Sequence, residues 1–364
     1  GDRDRETPLV AASRAGHCEI VALLLAAKAD QRADQRGTTP LHAACQTGSD
    51  GVVRVLLEAR ADVHKKDAKR RTPLLVTARV GHLGIACTLL AARACPDAAS
   101  YLSDTPLFVA ALHGHADVLR CLLQSGARAD ATNCDGTTAL CAAAENGNVW
   151  SVQVLIRARA DLELPDAGGA SPLMQAAAAG HLRVVQALIE LRAATNSADR
   201  QQDTPLLAAA RAGFSLIVSS LLQSTAQHVA DANGATPLRV ACANGHMEVV
   251  QALVASRADI EQDDCNGTGP LLAASRHGHA RLVRELLEAG VHTNCCDAEG
   301  VTPLLAAAGL GHTEVVHLLL DAKADKDQAN QHNETPLLAA AAQNHVEIVR
   351  LLDSLGAKKS LCNC

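Results

Sequence analysis

The stretch Gly37-Thr38-Thr39-Pro40-Leu41-His42-Ala43-Ala44 decides how this 364-residue chain folds. Thr39 precedes Pro40, the order expected where a hydroxyl caps a helix and proline takes the first helical position, at which its missing N–H costs nothing. Gly48 follows eight residues after Pro40 and permits the left-handed backbone that ends a helix. A second amphipathic segment comes next, then a finger of Ala, Asp, Asn and Gly that suits a turn or hairpin. The same pattern recurs along the chain. Equivalent prolines stand at Pro8, Pro40, Pro73, Pro106, Pro172, Pro205, Pro237, Pro270, Pro303 and Pro336, and Ala139 takes the place in Thr138-Ala139-Leu140. The step is 33 residues, apart from two of 32, Pro8 to Pro40 and Pro205 to Pro237. The residue before is Thr in nine units, Ser171 in one and Gly269 in one; Gly ends the first helix in ten units and Asn344 in the last. Eleven helix–turn–helix units joined by fingers are expected over residues 1–357, with a short tail at 358–364.

Composition agrees with this reading. Only four side chains are aromatic, Tyr101, Phe108, Trp150 and Phe214, while 71 Ala and 50 Leu fill about a third of the positions. A thick globular interior is normally filled with large rings; Ala and Leu close the thin gaps between stacked helices instead. With 48% hydrophobic residues and a net charge of -6, the chain is not of disordered type. No apolar run approaches the ~20 residues that cross a bilayer, so membrane insertion is not expected. Thirteen scattered cysteines without a CxxC pair argue for reduced thiols and an intracellular, cytoplasmic setting, with the nucleus left open. A pI near 6.2 and few stacking aromatics argue against nucleic acid as partner.

With these residues in register, the chain resembles the ankyrin-repeat family from end to end. The Gly-His step of that family recurs in Gly16-His17, Gly81-His82, Gly114-His115, Gly180-His181, Gly245-His246, Gly278-His279 and Gly311-His312. The resemblance implies a mainly α solenoid, elongated and curved, with partners gripped by the finger tips and the concave face of the first helices. It also implies a possible hydroxylation of the finger residues Asn196 and Asn294, although the usual acidic residue two before is Ala194 and His292. The chain departs from the family pattern in two ways. Only repeat 2 keeps His after Thr-Pro-Leu. The usual Gly before Ala-Asp is often basic, as in Lys28, Arg60, Arg159, Arg257 and Lys323, which would be strained if the backbone there is left-handed.

The third apolar position of the second helix is aliphatic from Leu25 through Leu320 and becomes Asp353 in the last repeat. A stack needs polar end faces, so a genuine C-terminal end is expected, and a cut N-terminal one, since repeat 1 has no such change.

No catalytic constellation, cofactor motif or metal set stands out. Successive repeat histidines lie roughly 8–10 Å apart, against Zn–N bonds of ~2 Å, so they read as fold residues bonded to backbone. His292, Cys295 and Cys296 with Cys265 carry soft-metal ligand types but match no known spacing, as does the tail pair Cys362 and Cys364.

Candidate contacts with a protein partner are the two residues before each helix-ending Gly. They include Arg14, Arg79, Val80, Leu112, His113, Glu145, Asn146, Arg211, Arg276 and His277. The run Lys65-Lys66-Asp67-Ala68-Lys69-Arg70-Arg71 falls on a finger tip and reads as an import signal, an acidic-partner contact or plain solvated charge. Residues 1–100 carry 15 basic and 11 acidic groups, residues 201–300 carry 6 and 11, a polarity that would orient a partner. Phe108 reads as core in place of the family His, whereas Tyr101 at a finger tip and Trp150 in an ordinarily acidic place read either as plain surface substitutions or as candidate binding anchors.

The expected function is a non-catalytic interaction scaffold or adaptor, a monomeric array binding a protein partner. The alternative is the targeting segment of a longer enzyme, channel or ubiquitin-ligase adaptor.

Overall fold

The computed structural model describes residues 6–358. Within these are 22 α-helices arranged as eleven successive pairs, and no extended strand. The first helix of repeat 2 is Pro40–Thr47 and its second is Asp50–Glu58; the corresponding pair in repeat 3 is Pro73–Val80 and Leu83–Ala91. Every first helix but one opens as the sequence predicts. Thr72 Oγ1, for example, accepts from Leu75 N at 3.3 Å, and Pro73 occupies the first turn. Gly269, which has no hydroxyl, leaves the helix Pro270–Arg276 without a side-chain cap.

The chain divides into two compact units, Gly1–Ala193 and Ala194–Cys364, holding repeats 1–6 and 7–11. Within each unit, first helices pack on first helices and second helices on second helices. The core is a column of leucines. Leu56, Leu89, Leu122, Leu155 and Leu188 in the first unit are completely buried, as are Leu221, Leu253, Leu286, Leu319 and Leu352 in the second. Alanines such as Ala44, Ala111, Ala210 and Ala308 are likewise fully enclosed, and their small side chains let the first helices approach closely. Asp353 is exposed at a position where Leu320 is half-buried.

Three further ties hold the repeats in shape and to one another. The first is the histidine that follows the helix-ending glycine in seven of the repeats. His115 Nε2–H donates to the Arg79 carbonyl at 3.1 Å, His181 to Glu145 at 2.9 Å, and His312 to Arg276 at 3.1 Å. The glycine it faces must lack a side chain: a Cβ on Gly81, whose φ is +86°, would meet the His115 ring at 2.5 Å. The second tie is the finger. Its tip is a closed turn, with backbone bonds such as Asp67 N to Arg71 O at 2.9 Å and Arg70 N to Asp67 O at 2.8 Å, and it lacks a strand ladder. Among the described residues, the single bridge Thr132–Thr138 is all that remains of a β-hairpin. Tips are linked to each other, Ala68 N to Arg36 O at 3.0 Å and Tyr101 N to Lys69 O at 3.1 Å.

The third tie is a carboxylate that the sequence pattern does not single out. Asp67 Oδ1 accepts from Lys69 N and Arg71 N at 2.9 and 2.8 Å, and Asp34, Asp166, Asp231, Asp264 and Asp297 do the same in their own fingers. An Asx turn of this kind replaces the missing strand pairing.

The anticipated strain is present. Lys28, Arg60, Arg159, Arg257 and Lys323 are left-handed, with φ between 59° and 64°, and so are Arg93 and Arg192.

Candidate protein-binding surface

His42 shows how the first-helix face is built. It is buried, its Nδ1 lies 2.8 Å from Thr39 Oγ1, and its Nε2–H donates to the Arg71 carbonyl at 2.9 Å. That bond ties repeat 2 to the finger of repeat 3. Burial lowers the His42 pKa from its ordinary 6.5, only partly opposed by the Arg71 carbonyl and the Asp67 charge. Phe108 takes the same position in repeat 4 and is core, packed with Leu75, Val109 and Ala142. Burial pushes the thiols of Cys45 and Cys242 up to about 12, which keeps them protonated and unreactive at neutral pH. Among the described residues no three His, Cys, Asp or Glu side chains converge to hold a metal, so His292, Cys295, Cys296 and Cys265 do not assemble; Cys362 and Cys364 lie outside the described residues.

The sequence-predicted contact residues fall into three groups. Several are committed within the chain. Arg14 Nε donates to Glu6 at 2.9 Å, Arg71 pairs with Asp67 at 2.7 Å, Arg211 is bonded to Asp203 and lies 3.6 Å from Asp231, and Arg276 pairs with Asp297 at 2.8 Å. Arg211 and Arg276, candidate groove contacts in the sequence, thus also act as struts between finger and first helix. Asn146, His113 and His277 each bond a carbonyl of their own helix at 2.9 Å.

A second group converges in the first unit. Lys69, Arg71, Arg79, Tyr101, Leu112 and His113 line one concavity of about 490 Å³ between the fingers and first helices of repeats 3 and 4. Leu75 and Val109 form its floor. Tyr101 is 74% exposed and its neighbour Leu102 is 53% exposed. Sequence reasoning misses Leu102 because nothing in the repeat pattern distinguishes one finger-tip position from the next. Val80 is exposed nearby in the chain, and Lys65, Lys66 and Arg70 are exposed on the preceding finger.

The remaining residues do not join this cluster. Glu145 is exposed on the helix Ala139–Glu145. Trp150, 74% exposed, sits in the first turn of the second helix Val149–Arg157, between two surface hollows of about 500 and 620 Å³ that no finger residue lines. The finger residues Asn196 and Asn294 accept from Gln227 N and Asp325 N, both at 2.8 Å, so they bind adjacent fingers together.

A series of capped helix pairs, tied by backbone-bonded histidines and carrying variable side chains on one face, defines a helical-repeat protein of the interaction-module class. The chain belongs to the ankyrin-repeat family: the sequence profile for ankyrin repeats (3 copies) matches residues 1–67 and, in overlapping segments, 74–166, 125–199, 152–230, 173–264, 206–295 and 271–361. Among solved structures it is similar to the human ASB11 ankyrin repeat domain, with 29% identity and a TM-score of 0.55 over 59% of this chain and 98% of that one. A comparison with curated proteins gives no match. Ankyrin repeats are in general protein–protein interaction modules and the fold is typically non-catalytic. No described helix is long and apolar enough to cross a membrane.

Proposed function

We propose that this chain is a non-catalytic scaffold that binds a protein partner through the face formed by its first helices and finger tips. The observation that carries the reading is the concavity at repeats 3 and 4, where exposed Tyr101 and Leu102 stand beside an apolar floor and unneutralised basic groups. Large amphipathic rings with neighbouring Arg are what concentrate binding energy at interfaces. The surface is set in advance by fingers that are hydrogen-bonded to each other and to the helices, so little ordering entropy opposes association. Thiols enclosed in the core at Cys45, Cys141 and Cys242 support a reducing, intracellular setting.

Site-specific photocrosslinking tests the assignment. A photoreactive residue at Leu112 is expected to trap a discrete protein adduct in cells, whereas one at Arg54, exposed on the second-helix face, is not. Identical adducts from both positions would remove the groove from consideration.

A further inference from the structure

The position two residues before the helix-ending glycine is arginine in four repeats, and three of the four are neutralised inside the chain. Arg14 pairs with Glu6, eight residues earlier. Arg211 pairs with Asp203, also eight earlier, and approaches Asp231 in the next finger. Arg276 pairs with Asp297 in its next finger. Arg79 is the exception. The residue eight before it is Arg71, and the position in the next finger that Asp297 fills for Arg276 is Ser100. Both carboxylate sources are replaced, one of them by a like charge. The Arg79 side chain has no carboxylate within 4 Å among the described residues, and the same holds for Lys69 and Arg70.

This cation borders the apolar floor already described. Leu75 and Val109 lie in the packed cluster with Phe108, and Leu112 is only half-buried against it. One carboxylate, Asp104, also lines the concavity, and it is engaged by Ser100 Oγ at 3.2 Å. Asp67 is bound to Arg71 at 2.7 Å. The balance at this point of the surface is thus positive, with an oily patch at its centre. In the second unit Arg211 and Arg276, the counterparts of Arg79, are neutralised by internal pairing.

We propose that repeats 3 and 4 take an extended acidic peptide segment of a partner protein. One large apolar side chain seats on Leu75, Val109 and Leu112 beside Tyr101. A carboxylate next to it supplies the counter-charge that Arg79 lacks, with Lys69 and Arg70 favouring further acidic residues. The proposal rests on the groove reading of the preceding subsection and adds the chemistry of the partner. An apolar floor favours a peptide over a nucleic acid, whose phosphates would leave it uncovered. Charge-assisted pairing of guanidinium with carboxylate is the strong form of such a contact.

The test is selection of a phage-displayed random twelve-residue peptide library on the full chain, followed by fluorescence anisotropy with the enriched peptides. Enriched sequences are expected to combine Asp or Glu with Leu, Ile, Phe or Trp. Their affinity should fall at least tenfold in Arg79→Glu, and also in Ser100→Asp, which provides a carboxylate in cis without touching Arg79. Changing the peptide's acidic residue to Lys should restore binding to Arg79→Glu. Circular dichroism checks that each variant is folded. Peptides that need Leu112 and Tyr101 but are neutral, and indifferent to Arg79→Glu, would overturn the acidic-partner proposal and leave the groove intact. Peptides indifferent to Leu112→Asp and Tyr101→Ala would overturn the groove as well. The groove is equally overturned if no peptide enriches, or if a twelve-nucleotide RNA binds where peptides do not.

Discussion

Replacing three of the left-handed arginines of the first unit, Arg60, Arg93 and Arg159, by glycine should stabilise the protein. Arg60, Arg93 and Arg159 have φ of 59°, 64° and 60°, and each follows the last turn of a second helix. Their side chains are exposed and make no ion pair among the described residues, so no contact is lost on truncation. The equivalent positions in repeats 4 and 9 are Gly126 and Gly290, where an added Cβ would meet nothing within 4 Å. The penalty at the arginines is therefore torsional and not steric crowding by neighbours. An L-residue in this region costs about 1–2 kcal/mol. Glycine gives back about 0.5–1 kcal/mol of that through the entropy of the unfolded chain. Loss of a cation near a helix C-terminus removes at least about 0.3 kcal/mol more. The net gain is about 0.5 kcal/mol per site, or about 1.5 kcal/mol for the triple variant if the sites add. With a urea slope of about 2 kcal/mol/M, the unfolding midpoint should rise by roughly 0.7 M. Urea titration followed by far-ultraviolet circular dichroism measures it. Arg60→Ala separates the contributions, because it removes the charge and keeps the backbone strain; it should not stabilise. Gly126→Arg should lower the midpoint. A triple variant with an unchanged or lower midpoint would refute the torsional argument.

Other outcomes follow from the ties between repeats. His42 has a lowered pKa through burial, so the unfolded chain binds the extra proton more readily than the native one. Its contribution is present above about 6.5 and is lost as pH falls through the folded value. His42→Leu, the residue several other repeats carry there, should flatten the fall in melting temperature as pH drops below about 6.5. His115→Ala removes the bond to the Arg79 carbonyl and should cost about 1 kcal/mol in the urea midpoint. Arg211→Met strands the buried Asp203 carboxylate and should cost about 1–3 kcal/mol, whereas Arg79→Met should stay within about 0.5 kcal/mol. Equal losses from the two arginine variants would show that Arg79 has an internal partner after all. Cys87 and Cys121 face each other with Sγ atoms 3.1 Å apart on neighbouring second helices. Mild hydrogen peroxide should oxidise one thiol to a sulfenic acid, which condenses with the other to a disulfide, releasing two waters in all. Mass spectrometry should find that linked peptide ahead of any other.

What the sequence determined by itself was everything set within about ten residues of chain. Thr-Pro fixes where a first helix begins, glycine fixes where it ends, and the leucine spacing fixes which face is buried; each acts through local backbone geometry and a period of 3.6 residues. The 33-residue step then specifies the stack, since each unit has only its neighbour to cover its apolar face. Phe108 as core and the basic residues at strained positions were legible for the same reason. Two matters were decided by the tertiary structure alone. One is the finger, which sequence composition leaves between turn and hairpin and which the Asp67-type side-chain bonds close as a turn. The other is the fate of the surface charges. Arg14, Arg79, Arg211 and Arg276 occupy one position of the pattern and look alike in one dimension. Whether each is neutral or available depends on carboxylates eight or about twenty residues away, brought within a few ångströms only when finger and helix are packed. Tyr101 and Trp150 are likewise separated by folding: Tyr101 lines the concavity between fingers and first helices, and Trp150 lines hollows that no finger residue enters. Local geometry wrote the scaffold into the sequence; pairing across the packed repeats chose which of its side chains remain open to a partner.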